Sequence, residues 1–345
     1  MAGNSSSLNV LILGAGASAS CGIALTKDIL REFMEKLSAE EPVKAGKADK
    51  LLEYLYQDFN PVYRNYPNIE DFLNILETAS IFNSQEFIES TLWPKTKTTE
   101  VKKIVLRALT EYLWKFMSGN KRSHYVDTYF RDYVSTETVV ITFNWDLSVE
   151  QALSKRRGQL SIRYQYPESD SRKDVITLLK PHGSLNWFRK RDIDGLAELK
   201  ARRLDGDIFI CEFIDVLLAH DLPEVTPIIV PPVFNKDFSS PTQDFNSNIF
   251  SETWTSIYKS LRRATKLTIL GYSLPKEDQF AKFVFRRALR NNLLAVERKK
   301  KPQLEMHVVN PDEAIEGTFA RLVGRDGVSF KFHKSRFEDY VDSLS

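Results

Sequence analysis

The residues able to do chemistry gather in five short groups: Gly14-Ala15-Gly16-Ala17-Ser18, Asn144-Trp145-Asp146, Lys180-Pro181-His182-Gly183-Ser184, Gly271-Tyr272-Ser273-Leu274-Pro275 and Asn310-Pro311-Asp312. His182 carries an imidazole whose unperturbed pKa of about 6.5 suits a general base at neutral pH. A lone histidine also serves as a core or capping residue. Asn144 and Asp146 could orient a ligand or a water. Asp146 could equally cap the helix beyond it, and one role does not exclude the other. Gly14 and Gly16 permit a tight turn in which backbone N–H groups approach a pyrophosphate, although a glycine turn is also ordinary architecture.

Each group follows an apolar run that must position it. Leu8–Leu13 is an apolar run but for Asn9, the mark of a strand covered on both faces, and a helical stretch follows from about Thr26 to Leu37. Thr138–Phe143, Val175–Lys180 and Lys266–Leu270 read as further buried strands, with Leu304–Val309 the last clear one and Lys276–Arg290 helical. Ligands of open parallel sheets bind beyond the carboxyl ends of the strands, so five strands ending in such groups make a functional signal. Between them, about 36–135 reads as helix. Asn68-Ile69-Glu70-Asp71 supplies a cap and acids for the positive end of a dipole. Val101, Ile104, Val105, Ala108, Leu109, Tyr112, Leu113, Phe116 and Met117 form one helical stripe, which Gly119-Asn120 should end. The expected fold is α/β, a Rossmann-like parallel sheet flanked by helices, built from residues 8–35 plus 136–345 with a helical module at 36–135 inserted.

Composition excludes several classes. The chain has 345 residues, with 48 basic against 46 acidic side chains and a formal charge of +2, which argues against a basic nucleic-acid coat or an acidic disordered chain. Lys155–Arg157, Arg202–Arg203 and Arg298–Lys301 read as scattered, solvated turns, so no direct nucleic-acid binding is expected. Two cysteines, Cys21 and Cys211, can build neither a disulfide framework nor a four-cysteine zinc site, so no metal is expected and a reducing, cytoplasmic location is. No apolar run approaches the roughly 20 residues of a membrane helix. Leu8–Ser20 imitates a signal peptide, yet no Lys or Arg precedes it and glycines interrupt it early. The acidic residue that a dehydrogenase would place about 20 residues after its glycine turn is missing; Arg31–Glu35 lies within a helix, which argues against hydride transfer.

Taken in order, these groups resemble the sirtuin family. The resemblance rests on Gly14–Ser18 with Gly22-Ile23, Thr142–Asp146, Lys180–Ser184, Gly271–Pro275 and Val309–Asp312, spanning nearly the whole chain. Asn68–Asp71 and Ile229-Val230-Pro231-Pro232 with Lys236 look like a variant bacterial branch. Two departures matter. The zinc ribbon of deacetylating sirtuins has no cysteines to hold it, and Ala24-Leu25-Thr26-Lys27 stands where the family has Asp-Phe-Arg.

The resemblance implies NAD+ as substrate. Gly14, Ala15, Gly16 and Ser18 would hold its pyrophosphate, Gly271 and Ser273 a phosphate and the adenosine ribose, and Asn310 that same ribose. Asp146 would bind the carboxamide, Asn144 would orient the nicotinamide ribose or a water, and His182 would accept a proton. Loss of the ribbon points to NAD+ hydrolysis, as in zinc-ribbon-lacking NAD hydrolases of bacterial antiphage defence that act by abortive infection. Such proteins work with a fused sensor, a HerA-type hexameric DNA-translocase ATPase or a short Argonaute. Only a short segment follows Asp312, so control by homo-oligomerisation or a separate protein is expected, with the helical module making the contacts. An NAD-dependent deacylase or ADP-ribosyltransferase, and a catalytically inactive NAD or ADP-ribose sensor, remain as alternatives.

Overall fold

Val10, Leu11, Ile12 and Leu13 are all buried because the strand that carries them lies at the centre of a sheet with a helical layer on each face. The computed structural model describes residues 8–81, 98–118, 124–155, 161–164, 175–194, 196, 200–211, 225–231, 248–324 and 327–345. The described strands are β1 Asn9–Leu13, β2 Thr138–Thr142, β3 Ser161–Arg163, β4 Val175–Leu179, β5 Gly183–Ser184, β6 Trp187–Arg189, β7 Arg202–Asp205, β8 Ile208–Ile210, β9 Ile228–Ile229, β10 Lys266–Leu270, β11 Leu304–Val309 and β12 Val328–His333. The described helices are α1 Ala15–Ser18, α2 Thr26–Glu40, α3 Pro42–Leu55, α4 Ile69–Ile81, α5 Thr98–Ser118 and α6 His124–Asp132. They continue with α7 Ser148–Ser154, α8 Lys190–Ile193, α9 Ile249–Arg263, α10 Gln279–Glu297, α11 Ala314–Val323 and α12 Phe337–Ser343.

The main sheet has seven strands in the order β12-β11-β10-β1-β2-β4-β3, and every neighbouring pair is parallel. This is the Rossmann-like α/β arrangement. The chain builds outward from β1 through β2 to β4, then returns to the other side of β1 with β10. The strand order therefore reverses between β1 and β10, where open sheets form their ligand crevice. Alternation along β1 divides the core: Leu11 and Leu13 join one apolar cluster, Val10 and Ile12 the other. Helices α2 to α7 and α12 cover the first face, and α9, α10 and α11 cover the second. All described elements between 36 and 135 are helical, and their buried residues share one cluster with α2 and the sheet.

Several elements differ from the sequence-based expectation. Residues Ala15–Ser18 already form a helical turn directly on the end of β1, followed by a 3-10 turn at Ala19–Cys21, so the glycine segment is a helix start. The helix expected over Lys276–Arg290 begins at Gln279, where Asp278 caps it by accepting from Ala281 N, and runs on to Glu297. A further strand, β12, lies at the sheet edge; its alternating exposure gives no continuous apolar run. The short strands β5 to β9 form two small antiparallel sheets, and Arg202 and Arg203 lie in β7 rather than in a turn. Lys301 is not solvated but half-buried, donating from Nζ to Ala264 O and, at 2.9 Å, to Asn292 Oδ1. Gly119, Asn120, Arg156, Arg157, His220, Pro232 and Lys236 lie outside the described residues.

The turns after β1 and β10 meet backbone to backbone. Gly271 has φ +61°, and a Cβ there would stand 2.5 Å from Ala17 N and 2.6 Å from Gly16 Cα. Across the contact, Gly16 N donates to Gly271 O at 3.0 Å. A Gly271→Ala variant should therefore lose about 3 kcal/mol or more of folding free energy, through strain plus the forced separation of two turns. Urea denaturation reads the loss as a lowered midpoint.

Candidate active site

Register places the first functional side chain. Leu13 pairs with Thr142, and Phe143 N donates to Leu13 O at 3.0 Å, so the chain leaving β2 runs beside the start of α1. Asn144 then reaches across. Its Nδ2 donates to Gly14 O at 2.8 Å and to Ser18 Oγ at 2.7 Å. A backbone carbonyl can only accept, which fixes the amide with its nitrogen toward Gly14. Both N–H bonds are thereby used, and Oδ1 is the polar atom left for a ligand.

Ser18 passes the chain on. Its hydroxyl donates to Asp146 Oδ2 at 2.6 Å, while Asp146 Oδ1 accepts from Ser148 N at 2.9 Å and from Ser148 Oγ. Asp146 thus caps the start of α7 and holds Ser18 at the same time. Beneath it, the fully buried Lys180 donates to Asp146 O at 2.7 Å and pairs with Glu150 Oε1 at 2.9 Å. Three strand ends, those of β1, β2 and β4, are joined by this one polar chain.

A cleft of about 160 Å³ opens beside it. Gly14, Ala15, Ser18, Asn144, Asp146, Gly271 and Ser273 all line it. Helices α4 and α5 add Asn68, Glu70 and Leu113, and the segment after α1 adds Ile23, Ala24, Thr26 and Ile29. Of these, Asn68 and Glu70 were legible as a helix start, Leu113 as part of a helical stripe, and Ile23, Ala24 and Thr26 as parts of the segment compared with the family, but none carried a site role. Ala24 N donates to Tyr112 Oη at 3.1 Å, and Tyr112 donates to Glu32 Oε2 at 2.6 Å, which ties this wall to α5. Trp145 Nε1 and Tyr272 Oη belong to lining residues and have no hydrogen-bond partner among the described residues. Burial, and then the charges of Asp278 and Glu70, push the Tyr272 phenol well above its usual value, so it stays a donor.

Three residues are placed differently from the expectation. His182 does not line the cleft. It is buried, its Nε2 lies 2.9 Å from Asp278 Oδ2, and its ring packs at 5.4 Å on Phe143. Phe143, stacked on Tyr272 at 4.1 Å, is the residue that faces the cleft in its place. Gly16 is also outside the lining, and the N–H groups expected to approach a pyrophosphate are occupied: Gly14 N bonds Leu270 O and Gly16 N bonds Gly271 O, both at 3.0 Å. Only Ala15, at the first position of α1, keeps the donor that such a helix start leaves over. Asn310 ends β11 and spends its Oδ1 on Asp312 N at 3.0 Å, one strand beyond the cleft.

The remaining described histidines lie elsewhere: His124 against Tyr125, and His307 with His333 across β11 and β12. Among the described residues, no group of three or more His, Cys, Asp or Glu could hold a metal, and Cys21 and Cys211 are both buried and not disulfide-bonded. No described helix is long and apolar enough to cross a membrane.

No family model matches the chain, and no curated protein does. Solved structures similar to it include one from a study of the structural basis of sirtuin substrate affinity, at 13% identity and a TM-score of 0.46, covering 98% of this chain and 92% of that one. A triple-mutant Sir2 homologue in complex with 2′-O-acetyl-ADP-ribose is similar at 14% identity and a TM-score of 0.42, covering 99% and 91%. Sir2 in complex with an inhibitor, 2′-O-acetyl-ADP-ribose and a deacetylated peptide follows at 13% and 0.37, covering 98% and 92%.

Ser18→Ala should remove the middle of the polar chain, stranding Asp146 Oδ2 and one Asn144 N–H. A loss of about 1–3 kcal/mol is expected. Chemical denaturation checks it, and a midpoint equal to that of the unmodified chain would show that Ser18 holds neither neighbour.

Proposed function

We propose that the cleft binds NAD+ and that the chain hydrolyses its nicotinamide–ribose bond, releasing nicotinamide and ADP-ribose. The observation that carries this reading is the Asn144 side chain, locked by Gly14 and Ser18 with one acceptor left for a water or a ribose hydroxyl. Nicotinamide in NAD+ is a pyridinium and departs as a neutral base without acid catalysis. The carbon–nitrogen bond breaks, an oxocarbenium-like ribose forms, and water adds to that carbon while its proton passes to a base. Positioning of the water and a base of suitable pKa each supply powers of ten in rate.

On this reading Asp146 receives the carboxamide through Oδ2, which keeps a lone pair after accepting from Ser18, whereas Oδ1 is filled by Ser148 N and Oγ. The Ala15 N–H and Ser273, at the turns where Gly14, Gly16 and Gly271 pack together, meet the phosphates. Asn310 takes the outer ribose. His182, oriented by Asp278, is the base, and it comes into reach of the ribose when Phe143 gives way. A base held behind an aromatic ring fits an enzyme that is restrained until assembly or a partner protein releases it, as an NAD+-consuming effector of antiphage defence must be.

Chromatography of NAD+ incubated with the chain, alone and at concentrations that favour assembly, tests the proposal. Nicotinamide and ADP-ribose should appear without an acyl-lysine peptide or other acceptor. Release only in the presence of an acceptor would instead make the chain a deacylase or ADP-ribosyltransferase. Asn144→Ala and His182→Ala should each reduce nicotinamide release by about 100-fold or more, with the thermal unfolding transition retained in Asn144→Ala. Full turnover in Asn144→Ala would remove the proposed site.

A further inference from the structure

Charge is divided unevenly along the chain. Residues 259–303 hold 13 Lys and Arg against 3 Asp and Glu, a net +10, so the remainder, with 35 against 43, is net −8. The fold folds this segment into one place. Helices α9 and α10 pack on each other, and their carboxyl ends meet the loop that precedes β11.

There they border a second cleft of about 530 Å³, lined by Arg262, Arg263, Arg298, Lys300 and Lys301, with no acidic residue in its wall. Thr265, just before β10 begins, also lines it, so it lies at the amino ends of the strands, at the opposite pole from the first cleft. Two helix ends carry about −1 charge together, which accounts for one or two of these cations and leaves the rest in excess. Among the described residues, no carboxylate pairs with Arg262, Arg298 or Lys300, while Lys301 is anchored in the wall through Ala264 and Asn292.

The basic surface continues along the outer side of α10 through the exposed Arg286, Arg287 and Arg290. A helix of 19 residues spans about 28 Å, whereas duplex nucleic acid presents a charge about every 1.7 Å of its axis. A cleft extended by such a row fits a repeating anion better than a single one. The cleft wall also lacks aromatic side chains on which unpaired bases could stack.

We infer that this pole of the molecule binds the phosphate backbone of a nucleic-acid duplex, without reading its sequence, while the cleft at the other pole stays open. The inference is independent of the proposed hydrolysis and stands or falls without it. Fluorescence anisotropy of the full chain with a labelled mixed-sequence DNA duplex of about 25 base pairs provides the test. About five neutralised phosphates give a salt slope near −4.5, hence a loss of affinity of a few hundred-fold between about 50 and 200 mM salt. The double variant Arg298→Glu/Lys300→Glu should weaken binding at least tenfold and flatten that slope. Arg286→Glu/Arg290→Glu should weaken it as well, because the row on α10 takes part. Both variants change exposed residues, so their unfolding transitions should match the unmodified chain. Absence of binding at about 50 mM salt, or binding unaffected by both variants, would overturn the inference. Two competitors test the occupant: poly-glutamate binding as tightly as the duplex would assign the pole to an acidic protein, and tripolyphosphate displacing the duplex at equal phosphate concentration would assign it to a small oligophosphate.

Discussion

The contact between Gly16 and Gly271 is the constraint on which the site depends. A parallel sheet fixes where strands end but leaves the turns beyond them free to splay. Here the turn after β1 and the turn after β10 are pressed together until no Cβ fits between them, with Gly16 N bonded to Gly271 O. That contact closes the bottom of the crevice at the point where strand order reverses. It also turns Gly14 O toward Asn144, and every polar link from there to Asp146 follows. The glycines are therefore structural first. Their own N–H groups serve the contact, and the polar atoms that face the cleft come from their neighbours.

The polar chain beyond that contact has no slack. Asn144, Ser18, Asp146 and Ser148 each use one group to hold the next, and Lys180 with Glu150 supports Asp146 from below. Such an arrangement is costly when half satisfied and rigid when complete. It sets the orientation of the Asn144 amide more strongly than any rotamer preference would. His182 stands outside it, in a separate aromatic setting made by Phe143, Trp254 and Asp278. Asn144 and His182 thus belong to two neighbouring but distinct packing environments.

Opposite poles of one sheet differ in charge. The carboxyl ends of the strands gather neutral amides, hydroxyls and one carboxylate around a cleft, and the amino end of β10 gathers the excess positive charge. Helix polarity contributes to this division: α9 and α10 end at the basic pole, where cations oppose their negative ends, and Asp278 sits at the start of α10, where an anion is favoured. A near-neutral chain can therefore hold a strongly charged surface.

The sequence by itself determined the strands and much of the site's membership. Short apolar runs such as Val10–Leu13 and Val139–Ile141 fit strands buried on both faces, so β1, β2, β4, β10 and β11 were legible, as were Asn144, Asp146, Gly14, Gly271 and Ser273 at their ends. Asn68 was readable as a helix cap because capping is local, and Asn68 Oδ1 does accept from Glu70 N at 2.9 Å. What only the tertiary structure decided were relations between distant segments. Partners 96 residues apart, His182 and Asp278, have no local signature, and neither does the ring of Phe143 that separates His182 from the cleft lining. Arg298–Lys301 read as an isolated, solvated turn because linear spacing conceals that it lies beside Arg262 and Arg263, where two helices end side by side. Periodicity and propensity report on neighbours within a few residues, whereas hydrogen-bond pairing across strands and the summing of charge in space are set by how the helices pack.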